Sequence, residues 1–127
     1  MENCIFCNLP RESIFAENES AFAIFDKYPV NPGHTLVIPK RHYVSFFEAT
    51  EEEVLALHRL VLDVKKILDL QYNPDGYNVG VNVGGCAGQV VLHVHLHVIP
   101  RFDGDSPRPG GLRRVKRPVI PFPQENE

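Results

Sequence analysis

The 127-residue sequence predicts one α+β domain, an antiparallel meander sheet with a single long helix inserted in it. Three observations carry that reading. Short runs of β-type residues, bounded by turn residues, occur both before and after one long segment of helical period. Helices do not alternate with the strands, so a parallel doubly wound sheet is excluded. Apolar residues make up 43% of the chain, enough for one core of this size.

The elements follow in order. Cys4-Ile5-Phe6-Cys7 opens the chain as a short helical arm with metal-ligand spacing. Ile14 to Glu17 and Ala21 to Phe25 read as a hairpin turning at Asn18-Glu19. Tyr28-Pro29-Val30-Asn31-Pro32-Gly33 is a turn-rich loop, and His34 to Pro39 is a third strand. Thr50-x-x-Glu53 is a capping box, so a helix starts there. Val54, Leu57, Val61, Val64 and Leu68 form its apolar stripe, and the helix runs to about Leu70. His58 falls on its surface. Asn73 to Gly76 turns the chain into a fourth strand, Tyr77 to Val83. A glycine-rich connection, Gly84 to Gly88, leads to a fifth strand over Gln89 to Arg101. Beyond Phe102, a basic arm rich in proline and glycine is expected, so the domain spans 1–102 and the arm 103–127.

The totals restrict the function classes. A net charge of −3 gives no bulk attraction to nucleic acid, and no run has the length of a membrane span. The start lacks the basic and apolar regions of an export signal. With an odd count of three cysteines, a reducing cytoplasm is expected rather than a disulfide framework. Arg101, Arg108, Arg113, Arg114, Lys116 and Arg117 crowd the final segment, either to attract a polyphosphate or as a solvated basic tail.

The chemistry concentrates in His93-Val94-His95-Leu96-His97, which holds half of the six histidines. On a strand these three rings would share one face, about 6–7 Å apart in succession, leaving Leu92, Val94, Leu96 and Val98 for the core. Three such rings suit a zinc site, with three ligands and an open water position, or a nucleophilic histidine centre. A neutral imidazole near pH 7 has one free lone pair, and a backbone carbonyl holding the other N–H would fix the attacking nitrogen. No carboxylate adjoins the triad to serve a zinc-bound water.

With Phe25-Asp26, Pro32-Gly33-His34-Thr35-Leu36-Val37-Ile38-Pro39-Lys40-Arg41-His42, Asn82 and Ala87-Gly88-Gln89, this run resembles the histidine-triad (HIT) superfamily of nucleotide hydrolases and transferases. The resemblance spans Cys4 to about Phe102. It implies a five-stranded antiparallel sheet per subunit, with homodimers pairing through the long helix and fourth strand into a ten-stranded sheet. It implies a purine nucleotide partner, with His95 attacking the α-phosphorus to form a nucleotidyl-histidine that water hydrolyses. His97 would bond the phosphate oxygens and Asp26 the ribose hydroxyls. Asn82, Gly88 and Gln89 would position phosphates and leaving group, and Ile5, Phe6 and Phe25 would line the base pocket. His34, which begins the neighbouring strand, is either a support for the triad or a plain core histidine.

The Cys-x-x-Cys pair resembles a zinc-containing branch of the superfamily. That implies a closed structural Zn2+ site of Cys4, Cys7, His42 and His93, with His93 then supporting His95; the chemistry at phosphorus needs no cofactor. The Ile99-Pro100-Arg101 ending and the basic arm look more like the branches that cleave a dinucleoside polyphosphate, such as a diadenosine polyphosphate, than the phosphoramidate-cleaving branch. One departure stands at Val90, where many relatives carry Ser or Thr as a phosphate donor. Cys86, in the glycine-rich loop, is assigned no role. A nucleotide-binding module without turnover remains the non-enzymatic alternative.

Overall fold

Asn18 closes the first hairpin through its own side chain. Its Oδ1 accepts from the Ser20 and Ala21 amides at 3.0 and 2.9 Å, an Asx arrangement that imitates a backbone turn. In this computed structural model, which describes residues 2–107, the turn joins β1 (Ile14–Glu17) to β2 (Ala21–Phe25). β3 (Thr35–Pro39), α1 (Glu51–Tyr72), β4 (Gly76–Val81) and β5 (Leu96–Arg101) follow. Short 3-10 turns lie at Ile5–Cys7, Arg11–Ser13, Phe46–Glu48 and Gly85–Ala87. The five strands form one antiparallel sheet in the order β1-β2-β3-β5-β4. The first three strands are a meander; β5 then enters between β3 and β4, so the strand that carries His97 is interior and β4 is an edge.

Two apolar layers explain why β2 and β3 are buried on both faces. Ala21, Ala23, Val37 and Val98 face the helix, where small residues admit Leu57, Leu60, Val64 and Leu68. Phe22, Ile24, Leu36 and Ile38 face the other way, under Phe6 of the N-terminal arm. The arm covers the β2/β3 half of this outer face, and the histidines take the β5 half.

Thr50 caps α1 by accepting from the Glu53 amide at 3.1 Å, while the Glu53 carboxylate accepts from the Thr50 amide at 2.9 Å. Glu53 itself begins the buried stripe, held by Arg41, and Val54 is 40% exposed rather than in it. The helix ends two residues beyond the expected Leu70, where Asn73 adopts a left-handed conformation (φ 48°). Gly33, at φ +88°, lies against Tyr72, and a Cβ there would come within 2.9 Å of that ring. Glycine is therefore required just before His34.

The largest correction concerns β5. It begins at Leu96, so the expected strand over Gln89–His95 is irregular chain, and Leu92 is 59% exposed instead of in the core. The ladder stops because β3 pairs with β5 only from Thr35↔Val98 to Val37↔Leu96. Beyond that, the Pro39 carbonyl accepts from the His93 ring at 2.8 Å, and the Val94 amide donates to Tyr43 at 2.9 Å. The three rings therefore do not share one strand face.

The expected domain limit at 102 falls inside a knot of bonds. Asp105 binds Arg101 and Asn31, and the Asp103 amide donates to Asp75. The basic arm from 108 onward lies outside the described residues. Among the described residues, no helix is long and apolar enough to cross a membrane.

Candidate active site and metal centre

The N-terminal turn and the segment after β3 bring Cys4, Cys7, His42 and His93 together. Cys4 Sγ lies 3.4 Å from His93 Nδ1, and Cys7 Sγ lies 3.4 Å from His42 Nδ1 and 3.6 Å from His93 Nδ1. The two Nδ1 atoms are 3.2 Å apart. A tetrahedral zinc with bonds of ~2.3 Å to sulfur and ~2.05 Å to nitrogen spaces its ligands by ~3.5 Å (S to N) and ~3.3 Å (N to N). The four side chains fit such an ion. Buried His93 is aimed at the group by its far nitrogen: Nε2 donates to the Pro39 carbonyl, so Nδ1 turns its lone pair inward. The chain holds His42 nearby through its neighbour Arg41, whose guanidinium forms two 2.8 Å bonds to Glu53 of α1. That pairing draws the Glu53 carboxyl down to about 2.

Two residues on, His95 is buried and donates from Nδ1 to the His93 carbonyl at 2.9 Å. Nε2 is therefore the nitrogen with the lone pair. Phe6 packs edge-on against this ring, centroids 5.1 Å apart, and His97 lies at the same centroid distance.

His97 has the opposite polarity, set from a distance. The Val30 amide, which can only donate, gives its proton to His34 Nδ1 at 3.0 Å. Neutral His34 must then carry its own proton on Nε2, and it donates that to His97 Nδ1 at 2.9 Å. His97 consequently keeps its proton on Nε2. Burial, with His95 and His34 beside it, pushes its pKa down to about 4, so the ring is neutral near pH 7. Burial likewise lowers His34, against the raising effect of Asp26. Adjacent rings thus present a lone pair (His95) and an N–H (His97).

Asp26 follows β2, with Oδ2 3.4 Å from His34 Nε2 and Oδ1 accepting from the Tyr28 amide. Asp26, His34 and His97 have donor atoms close enough for a metal. The Val30 proton argues against one: a neutral His34 that accepts at Nδ1 has no lone pair at Nε2.

Other expected residues divide. Asn82 and His97 line a groove of about 470 Å3 with Asn78, Gly80 and Ile99. Asn82 Nδ2 donates to the Gly88 carbonyl at 3.4 Å. The buried Gln89 amide is committed to the chain, accepting from Gly84 and donating to Val44 and Val91, so it braces the glycine loop. Ile5 is 59% exposed and borders a different groove, with Val44, Val90, Val91 and Leu92. Phe25 corrects its expectation. It pairs with Thr35 and stacks on Phe15 at 4.3 Å on the helix side of the sheet, away from Phe6. Strand alternation explains this, since Phe22 and Ile24 take the outer face. His34, left open above, is a support for His97. Sequence reasoning anticipated a backbone carbonyl behind the attacking ring but not that His93 supplies it. It missed Val30 and Pro39, because these are backbone groups that no residue pattern encodes. The exposed Cys86 belongs to neither cluster.

A HIT domain model matches residues 10–104. An uncharacterised HIT-like protein of Mycoplasma genitalium is 42% identical over 105 residues, covering 80% of this chain and 74% of its own. An adenylylsulfatase of Arabidopsis thaliana is 34% identical, covering 81% of this chain and 54% of its own. An AP-4-A phosphorylase of Mycobacterium tuberculosis is 33% identical, covering 73% and 48%. Among solved structures, a HIT family protein from Bacillus anthracis superposes with a TM-score of 0.79 at 34% identity, covering 99% of this chain and 86% of that one. A zinc-bound histidine triad protein from Mycobacterium smegmatis gives 0.74 at 34% identity, covering 88% and 86%. Sheet order, helix placement, the triad and the extent of these matches together make the chain a member of the HIT domain family.

Proposed function

We propose that the protein is a nucleotidyl hydrolase acting at the α-phosphate of a purine nucleotide, with a diadenosine polyphosphate as the favoured substrate. The observation that carries this is the His95 ring, whose Nδ1 proton is held by the His93 carbonyl. His95 Nε2 attacks the α-phosphorus, the bond to the leaving phosphate breaks, and water then cleaves the P–N bond to release a nucleoside monophosphate. His97 donates its Nε2 proton to a phosphate oxygen as charge develops. Asp26 holds the ribose, Phe6 and Ile5 offer apolar surface to the base, and Asn82 with the Gly88 loop orients the phosphates. His93 supports His95 through its carbonyl. The relatives' names support an adenylyl substrate, since adenylylsulfatase and AP-4-A phosphorylase both name one.

Cys4, Cys7, His42 and His93 hold a structural Zn2+ that ties the N-terminal arm to the triad segment; the donor set and the zinc-bound Mycobacterium smegmatis relative support it. The ion would supply rigidity, and no step at phosphorus requires it. The edge strand β4 and the exposed face of α1 form the surface for a homodimer, and the protein works in the cytoplasm.

The test is release of adenylate from diadenosine tetraphosphate by wild type and His95→Ala, with a nucleoside phosphoramidate assayed alongside. Wild type should cleave the polyphosphate faster, and His95→Ala should lose turnover by roughly 10³-fold or more while retaining nucleotide affinity. Faster cleavage of the phosphoramidate would shift the substrate class. Tight nucleotide binding without release from either would make the domain a binding module.

A further inference from the structure

The proton on His97 traces back to one backbone amide, Val30, in an exposed loop. Residues 27–30 are all exposed, so side-chain burial does not fix them. The Tyr28 amide donates to Asp26 Oδ1 at 2.9 Å near the start of the loop, and Asn31 ties down its far end beside Val30. Its Nδ2 donates to the Pro100 carbonyl at 2.9 Å and to Asp105 Oδ2 at 2.8 Å, and its own carbonyl accepts from the His34 amide at 3.1 Å. Asp105 is held in turn by Arg101 through Nε and Nη2, at 2.9 and 2.7 Å, and by the Phe102 amide at 2.9 Å. Arg101 is anchored on β4 by a 2.6 Å bond to Asn78. A continuous chain of bonds therefore runs from the end of β5, through Asp105 and Asn31, to the Val30 amide and then through His34 to His97.

We infer that Asn31 and Asp105 are positioning residues: their latch aims the Val30 N–H at His34 and so decides which nitrogen of His97 carries the proton. With the latch closed, His34 accepts at Nδ1 and His97 presents Nε2–H. With it open, the Val30 amide is free to leave. His34 can then place its proton on Nδ1, and a His34 Nε2 without a proton would accept from His97 Nδ1–H. The proton His97 offers to the substrate would then be lost by tautomer exchange, with no change in net charge. The structural part of this inference stands alone; only its effect on turnover rests on the role proposed for His97.

The test is the ring nitrogen spectrum of 15N-histidine-labelled full-length protein near pH 7.5, for wild type, Asn31→Ala, Asp105→Ala and, as a control, Asp75→Ala. Asp75 holds the same turn through Asp103 but does not touch Asn31. Wild type and the control should each show one tautomer, with Nδ1 bare and Nε2 protonated on both His34 and His97. Asn31→Ala and Asp105→Ala should show a second tautomer on both rings. Adenylate release by those two variants should fall roughly tenfold in kcat, with KM changed less than about twofold. Retention of the single wild-type tautomer in both latch variants would overturn the inference, whatever their activity. Appearance of the second tautomer in the control as well would overturn it too, because loosening anywhere in the turn would then suffice. If wild type releases no adenylate, the ring spectra still decide the latch, and only the proposed function fails.

Discussion

Two clusters of Cys, His and Asp side chains lie on either side of His95, and each brings its donor atoms within 4.8 Å of one another. One is Cys4, Cys7, His42 and His93; the other is Asp26, His34 and His97. By composition both are plausible metal sites. Their difference lies on the far side of one ring in each. His93 meets a carbonyl (Pro39) and so points a lone pair into its cluster. His34 meets an amide (Val30) and so points a proton into its cluster. A backbone acceptor frees a ring nitrogen to ligate a metal, and a backbone donor makes the ring a link in a proton-ordered network. His95, between them, is held by a carbonyl and keeps its lone pair for another atom.

The comparison breaks most visibly at zinc. Chelation or Cys7→Ser should lower the melting temperature by on the order of 10 °C or more, since binding to a site absent in the unfolded chain is folding free energy. Scanning calorimetry checks this, and a melting temperature indifferent to chelator would remove the structural metal. Acid should act next. The unfolded chain protonates its histidines near pH 6.5, whereas folded His97 resists until about 4, with His93 and His34 lowered in the same direction. The unfolded state therefore binds more protons in that window, so stability is full above about 6.5 and declines toward 4. Denaturant midpoints between pH 7.5 and 4.5, in chelator so that zinc and protons do not compete, should fall steadily; a flat profile would mean the rings charge freely. Glu53, at about 2, contributes loss only at lower pH. The smallest expected effect is at the α1 cap: Thr50→Ala should cost about 1 kcal/mol by urea melt and leave zinc content unchanged.

Legibility in the sequence followed the same division. The capping box, the helix stripe beyond Val54 and the hairpin at Asn18 are local patterns, and each is found where the residues indicate. The four candidate metal ligands were legible because cysteine and histidine spacing, set beside a family resemblance, names side chains directly. Strand alternation failed for Leu92, since it assumed a ladder that ends where the His93 ring takes the Pro39 carbonyl. Phe25 failed for a related reason: motif position placed it beside the base, while its register puts it against Phe15 on the helix side. The hydrogen-bond polarity of the histidines was the least legible feature. It depends on the Val30 N–H and on the Pro39 and His93 carbonyls; every residue supplies the carbonyl and every residue but proline the N–H, so no side-chain pattern marks them.

The most direct measurement is zinc per chain by native mass spectrometry for wild type, His93→Ala and His34→Ala. The account predicts one ion in wild type, one in His34→Ala and none in His93→Ala. Two ions in wild type, or loss of the ion with His34 rather than with His93, would contradict it.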